Sequence, residues 1–273
     1  MARSIPVRIG IVGIAGRMGR ELVALATSDP SVTVVGGTVR PTTCMPSTKF
    51  VISSDVEKSL LKGTSSINGI PVFTNLTDLL PDVDVLIDFS TPESSVATAQ
   101  HAAGAGIPIV VGTTGLTSEQ LDVLREASSR IPVYYARNTA HGVNALQQLL
   151  PLIARALTGY DIEIVEMHHQ HKKDAPSGTA LALAEAITAG LETSEPQHTY
   201  GREGYAPRQT GEIGFHSIRG GGNTGEHTVI FASDQEEIRI SHRALSRGAF
   251  AAGAIRAASD LVGKAPGWYG PAA

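Results

Sequence analysis

Cysteine is nearly missing from this 273-residue chain: Cys44 is the only one, which excludes an internal disulfide framework and a cysteine-built metal site. Nor is there an apolar run long enough to cross a bilayer, and the opening Met1-Ala2-Arg3-Ser4 leads straight into an apolar strand without the apolar core of a signal peptide. A soluble, cytoplasmic protein with no membrane partner is the expectation. Runs of basic residues interleaved with aromatics are absent and the formal charge is −4, so nucleic acid is not an expected partner. Internal repeats and low-complexity tracts are absent as well. What is present is a chain of a length that suits two modest domains with a core of ordinary size.

Val7 to Gly13, V-R-I-G-I-V-G, is a β-branched run that ends in glycine, and Ile14 to Leu25 carry helical spacing. The turn between them, Gly13-Ile14-Ala15-Gly16-Arg17-Met18-Gly19, spaces three glycines where a strand enters a helix. Glycine lets the main chain turn tightly and approach a pyrophosphate, whose charge then sits against the helix N-terminus, so Gly13 to Met18 form a candidate dinucleotide cradle. The second strand, Val32 to Thr38, ends where a carboxylate would bond the ribose 2′-hydroxyl of NAD; Val39 and Arg40 stand there instead. Arg40, with Arg17, suits a 2′-phosphate, which puts NADPH ahead of NADH; the alternative for Arg40 is a solvated loop arginine.

Pro41 to Asn68 is polar, with a short helix expected only at Val56 to Leu61. Beyond Pro71 the spacing predicts a strand at Val83 to Phe89, a helix at Pro92 to Ala103, a strand at Ile107 to Gly112, a helix capped by Thr117 and Gln120 that runs to Ser129, and a strand at Ile131 to Ala136. Such alternation predicts a Rossmann-like, doubly wound parallel sheet. Ligands of these sheets bind beyond the carboxyl ends of the strands, so Gly13 to Met18, Ser90-Thr91, Gly112 to Thr114 and Ala136 to Thr139 are expected on one rim.

After Asn138 the pattern changes. An apolar helix at Gly142 to Leu157, which Pro151 should kink or restart, precedes a strand at Asp161 to Met167 and a helix at Ala180 to Ala189. Three strands then follow without helices between them, at Ile213 to Arg219, Thr228 to Ala232 and Glu237 to His242. This reads as an α+β domain with a sheet face that a second subunit could cover. A helix at Ala249 to Val262 is expected to return to the first domain. The division expected is a dinucleotide-binding domain of residues 1–139, completed by 249–273, and a substrate-binding and oligomerisation domain of residues 140–248.

The densest chemistry lies in Glu166 to Thr179, E-M-H-H-Q-H-K-K-D-A-P-S-G-T. His168, His169, His171, Lys172 and Lys173 offer proton donors and fixed positive charge, while Pro176-Ser177-Gly178-Thr179 reads as the start of a helix, whose unpaired N–H groups can receive a carboxylate or phosphate. A metal site of His168, His169, His171 and Asp174 is disfavoured, because zinc draws ligands from more separated positions; no metal is expected. A solvated polar loop and acid catalysis on an anion remain as readings of the residues.

G-I-A-G-R-M-G-R at Gly13 to Arg20, G-T-T-G at Gly112 to Gly115 and above all the histidine segment resemble the 4-hydroxy-tetrahydrodipicolinate (dihydrodipicolinate) reductase family of bacterial lysine and diaminopimelate biosynthesis. R-E-G at Arg202 to Gly204, G-E-I-G-F at Gly211 to Phe215 and G-E-H-T at Gly225 to Thr228 extend the resemblance along nearly the whole chain. It implies that His168 is the acid/base residue and Lys172 a second proton donor, that His169 holds the substrate, and that Ser177, Gly178 and Thr179 bind a carboxylate of a cyclic dicarboxylate, with Thr114 near it. It further implies that Gly13, Ile14, Ala15, Gly16, Arg17 and Met18, Gly112, Thr113 and Thr114, and Ala136, Arg137, Asn138 and Thr139 line NADPH or NADH, with Arg40 reading the adenosine end. A homotetramer built through the second domain's sheet and a hinge between domains are implied too. The rival readings are another two-domain Rossmann dehydrogenase and a dinucleotide-sensing regulator without turnover.

Overall fold

The computed structural model describes residues 5–40, 65–191 and 196–271. Cys44 and the helix expected at Val56 to Leu61 lie outside the described residues. In chain order the elements are β1 (Val7–Val12), α1 (Arg17–Thr27), β2 (Val32–Thr38), β3 (Ser65–Ile67), β4 (Ile70–Phe73), β5 (Val85–Asp88), α2 (Pro92–Ala105), β6 (Ile109–Val111), α3 (Ser118–Ser128) and β7 (Pro132–Tyr135). There follow α4 (His141–Ala156), β8 (Asp161–His168), α5 (Gly178–Thr188), β9 (His198–Tyr200), β10 (Ile213–Arg219), β11 (Glu226–Ala232), β12 (Glu237–Arg243), α6 (Gly248–Leu261) and β13 (Gly267–Tyr269). They form two compact units, one of the chain up to Ala136 with Ala251–Tyr269, the other of Arg137–Phe250.

The first unit is built on an eight-stranded sheet of order β13-β7-β6-β5-β1-β2-β4-β3, in which every pairing is parallel except β3 with β4. Its central strands are apolar almost throughout because both faces are covered. Leu22 and Ala26 of α1 with Ala254 and Ala258 of α6 bury one face over Ile9, Ile11 and Ile87. Ala99 and Ala102 of α2 with Leu124 of α3 bury the other over Leu86, Ile109 and Val133. The doubly wound sheet is therefore as expected, and the Thr117 capping box forms through both of its hydrogen bonds, at 3.3 and 2.9 Å. Three strands were not expected from the sequence here, β3, β4 and β13. The β3–β4 hairpin turns at Asn68 and Gly69, both in the left-handed region (φ 52° and 79°), which is the Asn-Gly turn signal embedded in a polar stretch.

The second unit is a five-stranded mixed sheet of order β12-β11-β8-β10-β9, with α4 and α5 on one face. Helix α4 runs through Pro151 as a single element rather than restarting there. Along β8 the side chains alternate, so Ile162, Ile164, Glu166 and His168 share the buried face; the first two join Leu150, Leu183, Ile187, Phe215 and Phe231 in the core. The apolar pattern thus carries two polar residues inward at the end of the strand. The register places Val165, Met167, Ile218 and Ile230 on the opposite face, where Ile218 is 47% exposed. Buried Glu212 is held there by Arg202 and Arg208, which gives the R-E-G and G-E-I-G-F segments a structural role. No helix among the described residues is long and apolar enough to cross a membrane.

Candidate active site

In the first unit the glycine turn is shaped by close approach. Gly13 has φ 82°, and a Cβ on Gly19 would lie 2.4 Å from the Ile14 carbonyl oxygen, so the first turn of α1 packs directly on the loop that precedes it. Gly13 and Ile14 donate their N–H groups to the Thr38 carbonyl, which ties the turn to the end of β2. The N-cap of α1 is Gly16, without a side-chain cap and with no acidic residue in the first turn, so the helix start is open to an anion. Arg17, the first residue of α1, and Arg40, two residues past the end of β2, are exposed. A cradle that a Cβ would fill, next to an uncapped helix N-terminus, fits the pyrophosphate of a dinucleotide. Gly112 and Thr113 are buried at the end of β6, and Thr114 is exposed. Ala136 closes the first unit, whereas Arg137, Asn138 and Thr139 belong to the second. There their side chains bond Glu185 (2.8 Å), Thr179 Oγ1 (3.0 Å) and the Phe250 carbonyl (2.7 Å).

In the second unit β8 and α5 build the site around a buried ion pair. Glu166 is 1% exposed. Arg219 grips its carboxylate with two nitrogens, at 2.6 and 2.8 Å, the Ser177 N–H donates to Oε1 at 3.2 Å, and His168 Nδ1 lies 2.5 Å from Oε2. Burial works to raise the Glu166 pKa, but the hydrogen bonds from His168 and Arg219 outweigh it and hold the carboxyl well below the usual range. The carboxylate is therefore ionised, His168 Nδ1 carries a proton toward it, and Nε2 is the nitrogen left for chemistry. Nε2 faces Gly225, where a Cβ would come within 3.0 Å of it, so glycine keeps that nitrogen uncrowded.

Ser177 caps α5: its hydroxyl accepts from the Ala180 N–H at 3.1 Å and lies 2.8 Å from His227 Nε2. Both polar groups of Ser177 expected at the substrate are thus committed within the unit, the N–H to Glu166 and the hydroxyl to Ala180 and His227. Gly178 and Thr179 provide the first N–H groups beyond the cap. Lys172 is held by both oxygens of Asp174 at 2.9 Å, and His169 lies beside His171 at a ring separation of 6.1 Å. The loops around these residues are zipped together by main-chain bonds from His169 to Asn223 and from Gly220 to His168.

Glu166, Arg219 and His227 are members of this candidate site that sequence reasoning did not single out. Glu166 has a readable signal, since it stands two residues before His168 on a strand, and His227 lies in the G-E-H-T segment at Gly225 to Thr228; Arg219 comes from β10 and has none. Among the described residues Glu166, His168 and His227 have the composition and spacing of a cation-ligand set. Arg219 already occupies both carboxylate oxygens, so the guanidinium holds the place that a metal cation would take. The metal site weighed on His168, His169, His171 and Asp174 does not assemble either: Asp174 bonds Lys172, and His168 bonds Glu166.

His227 is 2% exposed and packs edge-on against His168, with ring centroids 5.1 Å apart. Burial, reinforced by His168, pushes its pKa down to about 3 from the ordinary 6.5. Between those values the unfolded chain binds the proton and the folded chain does not, so stability falls as pH drops through this window. At pH 5 the loss relative to pH 7 is about 2 kcal/mol from this one group. Urea unfolding of wild type and His227→Gln at both pH values checks it: the wild-type loss should exceed the variant's by about that amount, and parallel losses would contradict it.

An open doubly wound sheet with a glycine cradle, joined in one chain to an α+β unit carrying a carboxylate-backed histidine, defines a nicotinamide-dinucleotide-dependent oxidoreductase of two domains. The family description "Dihydrodipicolinate reductase, N-terminus" matches residues 7–139, and "Dihydrodipicolinate reductase, C-terminus" matches residues 142–272. The chain belongs to the dihydrodipicolinate reductase family. It is 42% identical over 266 residues, 96% of both chains, to the 4-hydroxy-tetrahydrodipicolinate reductase of Aquifex aeolicus (strain VF5). It is 44% identical over 264 residues, covering 94% of this chain and 92% of the relative, to the enzyme of the same name from Acinetobacter baumannii (strain ATCC 17978). The dipicolinate-bound dihydrodipicolinate reductase from Paenisporosarcina sp. TG-14 shares the fold, with a TM-score of 0.73 at 24% identity over 97% of this chain and 98% of that one.

Proposed function

We propose that this chain reduces 4-hydroxy-tetrahydrodipicolinate to tetrahydrodipicolinate, a step of bacterial lysine and diaminopimelate biosynthesis. The observation that carries the reading is the Arg219–Glu166–His168 array beside the start of α5. When bound, the reduced nicotinamide supplies the hydride for C4 of the cyclic, unsaturated dicarboxylate left by loss of water. Electron density then moves through the conjugated system to the ring nitrogen, where a proton must arrive. His168 Nε2 donates it, and the imidazole keeps its Nδ1 proton against Glu166 afterwards, so the ring neither turns nor changes partner. Lys172 is the second donor, and His169 holds the substrate. The N–H groups of Gly178 and Thr179 receive a substrate carboxylate, with Ser177 as the cap that keeps them aimed.

Gly13 to Met18, Gly112 to Thr114 and Ala136 of the first unit hold the dinucleotide; Arg137, Asn138 and Thr139, the first residues of the second, can offer it only their main chain, since their side chains are engaged. Arg17 and Arg40 favour the 2′-phosphate, hence NADPH over NADH. The unit that ends at Ala136 and is completed by Ala251–Tyr269 serves as the dinucleotide domain, and the unit Arg137–Phe250 as the substrate domain. The partly exposed apolar side chains of the β8–β10–β11 face suit burial against a second copy, in keeping with a homotetramer.

The test is to mix the purified protein with NADPH and enzymatically generated 4-hydroxy-tetrahydrodipicolinate and to follow nicotinamide absorbance. Oxidation far above background is expected, with NADH giving a lower kcat/KM in the paired titration. Background oxidation with both nucleotides would remove the proposal.

A further inference from the structure

Asp88 is the last residue of β5, and it is 0% exposed. Its sheet partners are Val12 of β1 and Val111 of β6, apolar surroundings in which an unsatisfied carboxyl is strongly disfavoured. Only hydroxyls and an amide answer it: Oδ1 accepts from the Ser90 N–H at 2.8 Å, from Ser90 Oγ at 2.6 Å and, more loosely, from Thr113 Oγ1 at 3.4 Å. The Ser90 N–H is shared with Thr113 Oγ1 at 3.0 Å. Oδ2 and the buried Ser95 Oγ have no aligned hydrogen-bond partner, although Ser95 is near enough to favour the charged carboxyl. Burial dominates and raises the pKa of the group.

The main chain around Asp88 is equally constrained. Phe89 donates to the Val12 carbonyl, and Gly112 donates to the Asp88 carbonyl at 2.9 Å. A Cβ on Gly13 would meet the Phe89 carbonyl oxygen at 3.1 Å, and one on Gly112 would meet the Phe89 ring at 2.3 Å. Phe89 therefore packs against both Gly13 and Gly112, with the Asp88–Ser90–Thr113 knot in the same layer. The carboxyl thus joins the ends of β5 and β6, and the Ser90 that it holds lies against the Gly13 turn, where a Cβ on Gly13 would come 3.5 Å from Ser90 Cα.

We propose that Asp88 is a positioning residue for dinucleotide binding: through Ser90 and Thr113 it sets the spacing between the Gly13 turn and the Gly112 to Thr114 segment. The inference rests on the reading of the first unit as the dinucleotide domain. It needs the acceptor oxygen rather than the charge, so Asp88→Asn, which keeps Oδ1, is the conservative rescue.

The experiment measures NADPH Kd by fluorescence titration, KM for each substrate, kcat and Tm, for wild type, Asp88→Asn, Asp88→Ala and Thr113→Val. Asp88→Asn should bind NADPH within about twofold of wild type. Asp88→Ala and Thr113→Val should raise the NADPH Kd and KM about tenfold, from lost hydrogen bonds, while the dicarboxylate KM changes less than about twofold. Should Asp88→Ala not fold, Thr113→Val decides, because it is isosteric and removes one arm of the knot. Wild-type NADPH affinity in Thr113→Val, or a Kd raised as much by Asp88→Asn as by Asp88→Ala, overturns the proposal. If the wild type binds neither NADPH nor NADH, the reading of the first unit falls and this inference with it; if the wild type binds and the variants bind alike, only the inference falls.

Discussion

His168→Gln is expected to lower kcat by about 10²- to 10⁴-fold, the range of a lost general acid, while NADPH Kd stays within about twofold of wild type. The split follows from where the residue sits. His168 lies on β8 in the second unit, whereas Gly13 to Met18 and Gly112 to Thr114, which make up most of the groups assigned to the dinucleotide, lie in the first. Glutamine can still donate to Glu166 but cannot carry a titrating proton at the position of Nε2. Steady-state kinetics and a fluorescence titration on the same preparation check it. Equal losses in kcat and in NADPH affinity would mean that the histidine is structural.

Glu166→Gln has the largest expected effect on stability. The substitution removes the charge that Arg219 grips with two nitrogens, leaving a partly buried guanidinium against a neutral amide whose own NH₂ group faces it unfavourably. Breaking one side of such a pair costs about 3 kcal/mol. Because the Glu166 pKa is lowered by folding, its contribution is fully present above the ordinary carboxyl value of 4.5 and is lost as pH falls from there toward the folded-state value. The gap between wild type and variant should therefore be constant from neutral pH down to about 5 and shrink below about 4. Urea unfolding across this range measures it, and a gap that widens on acidification would contradict the assignment of an ionised carboxylate. Activity should fall as well, by about 10²-fold, because His168 loses the partner that selects its tautomer. Adding Arg219→Met to Glu166→Gln should restore part of the stability and none of the rate.

What could be read from residues alone was local. The strand–glycine–helix sequence at the start of the chain, the Thr117–Gln120 box, the Ser177 cap and the alternation along β8 are each written within a few residues, because caps, turns and side-chain periodicity act over one or two turns of backbone. The Asn68-Gly69 hairpin belongs with them, but its flanking strands of three and four residues are too short to show an alternation. A restart of the helix at Pro151, one of the two outcomes expected there, does not occur: α4 is a single element with Leu150 and Ala154 buried in the core of the second unit.

The motifs also determined the family and the histidine segment as the place to look. Only the tertiary structure decided what each polar group there has left to give. Arg219 stands 53 residues after Glu166, and His227 stands 50 after Ser177. Their meeting depends on the register of β10 and β11 against β8, which is set by burying one apolar face of the sheet. Hydrophobic burial is collective and non-directional, so no short stretch of sequence announces which distant partner it will deliver. That is why Ser177 is engaged by Glu166 and His227, and why His168 has Nδ1 committed to Glu166 and Nε2 facing Gly225.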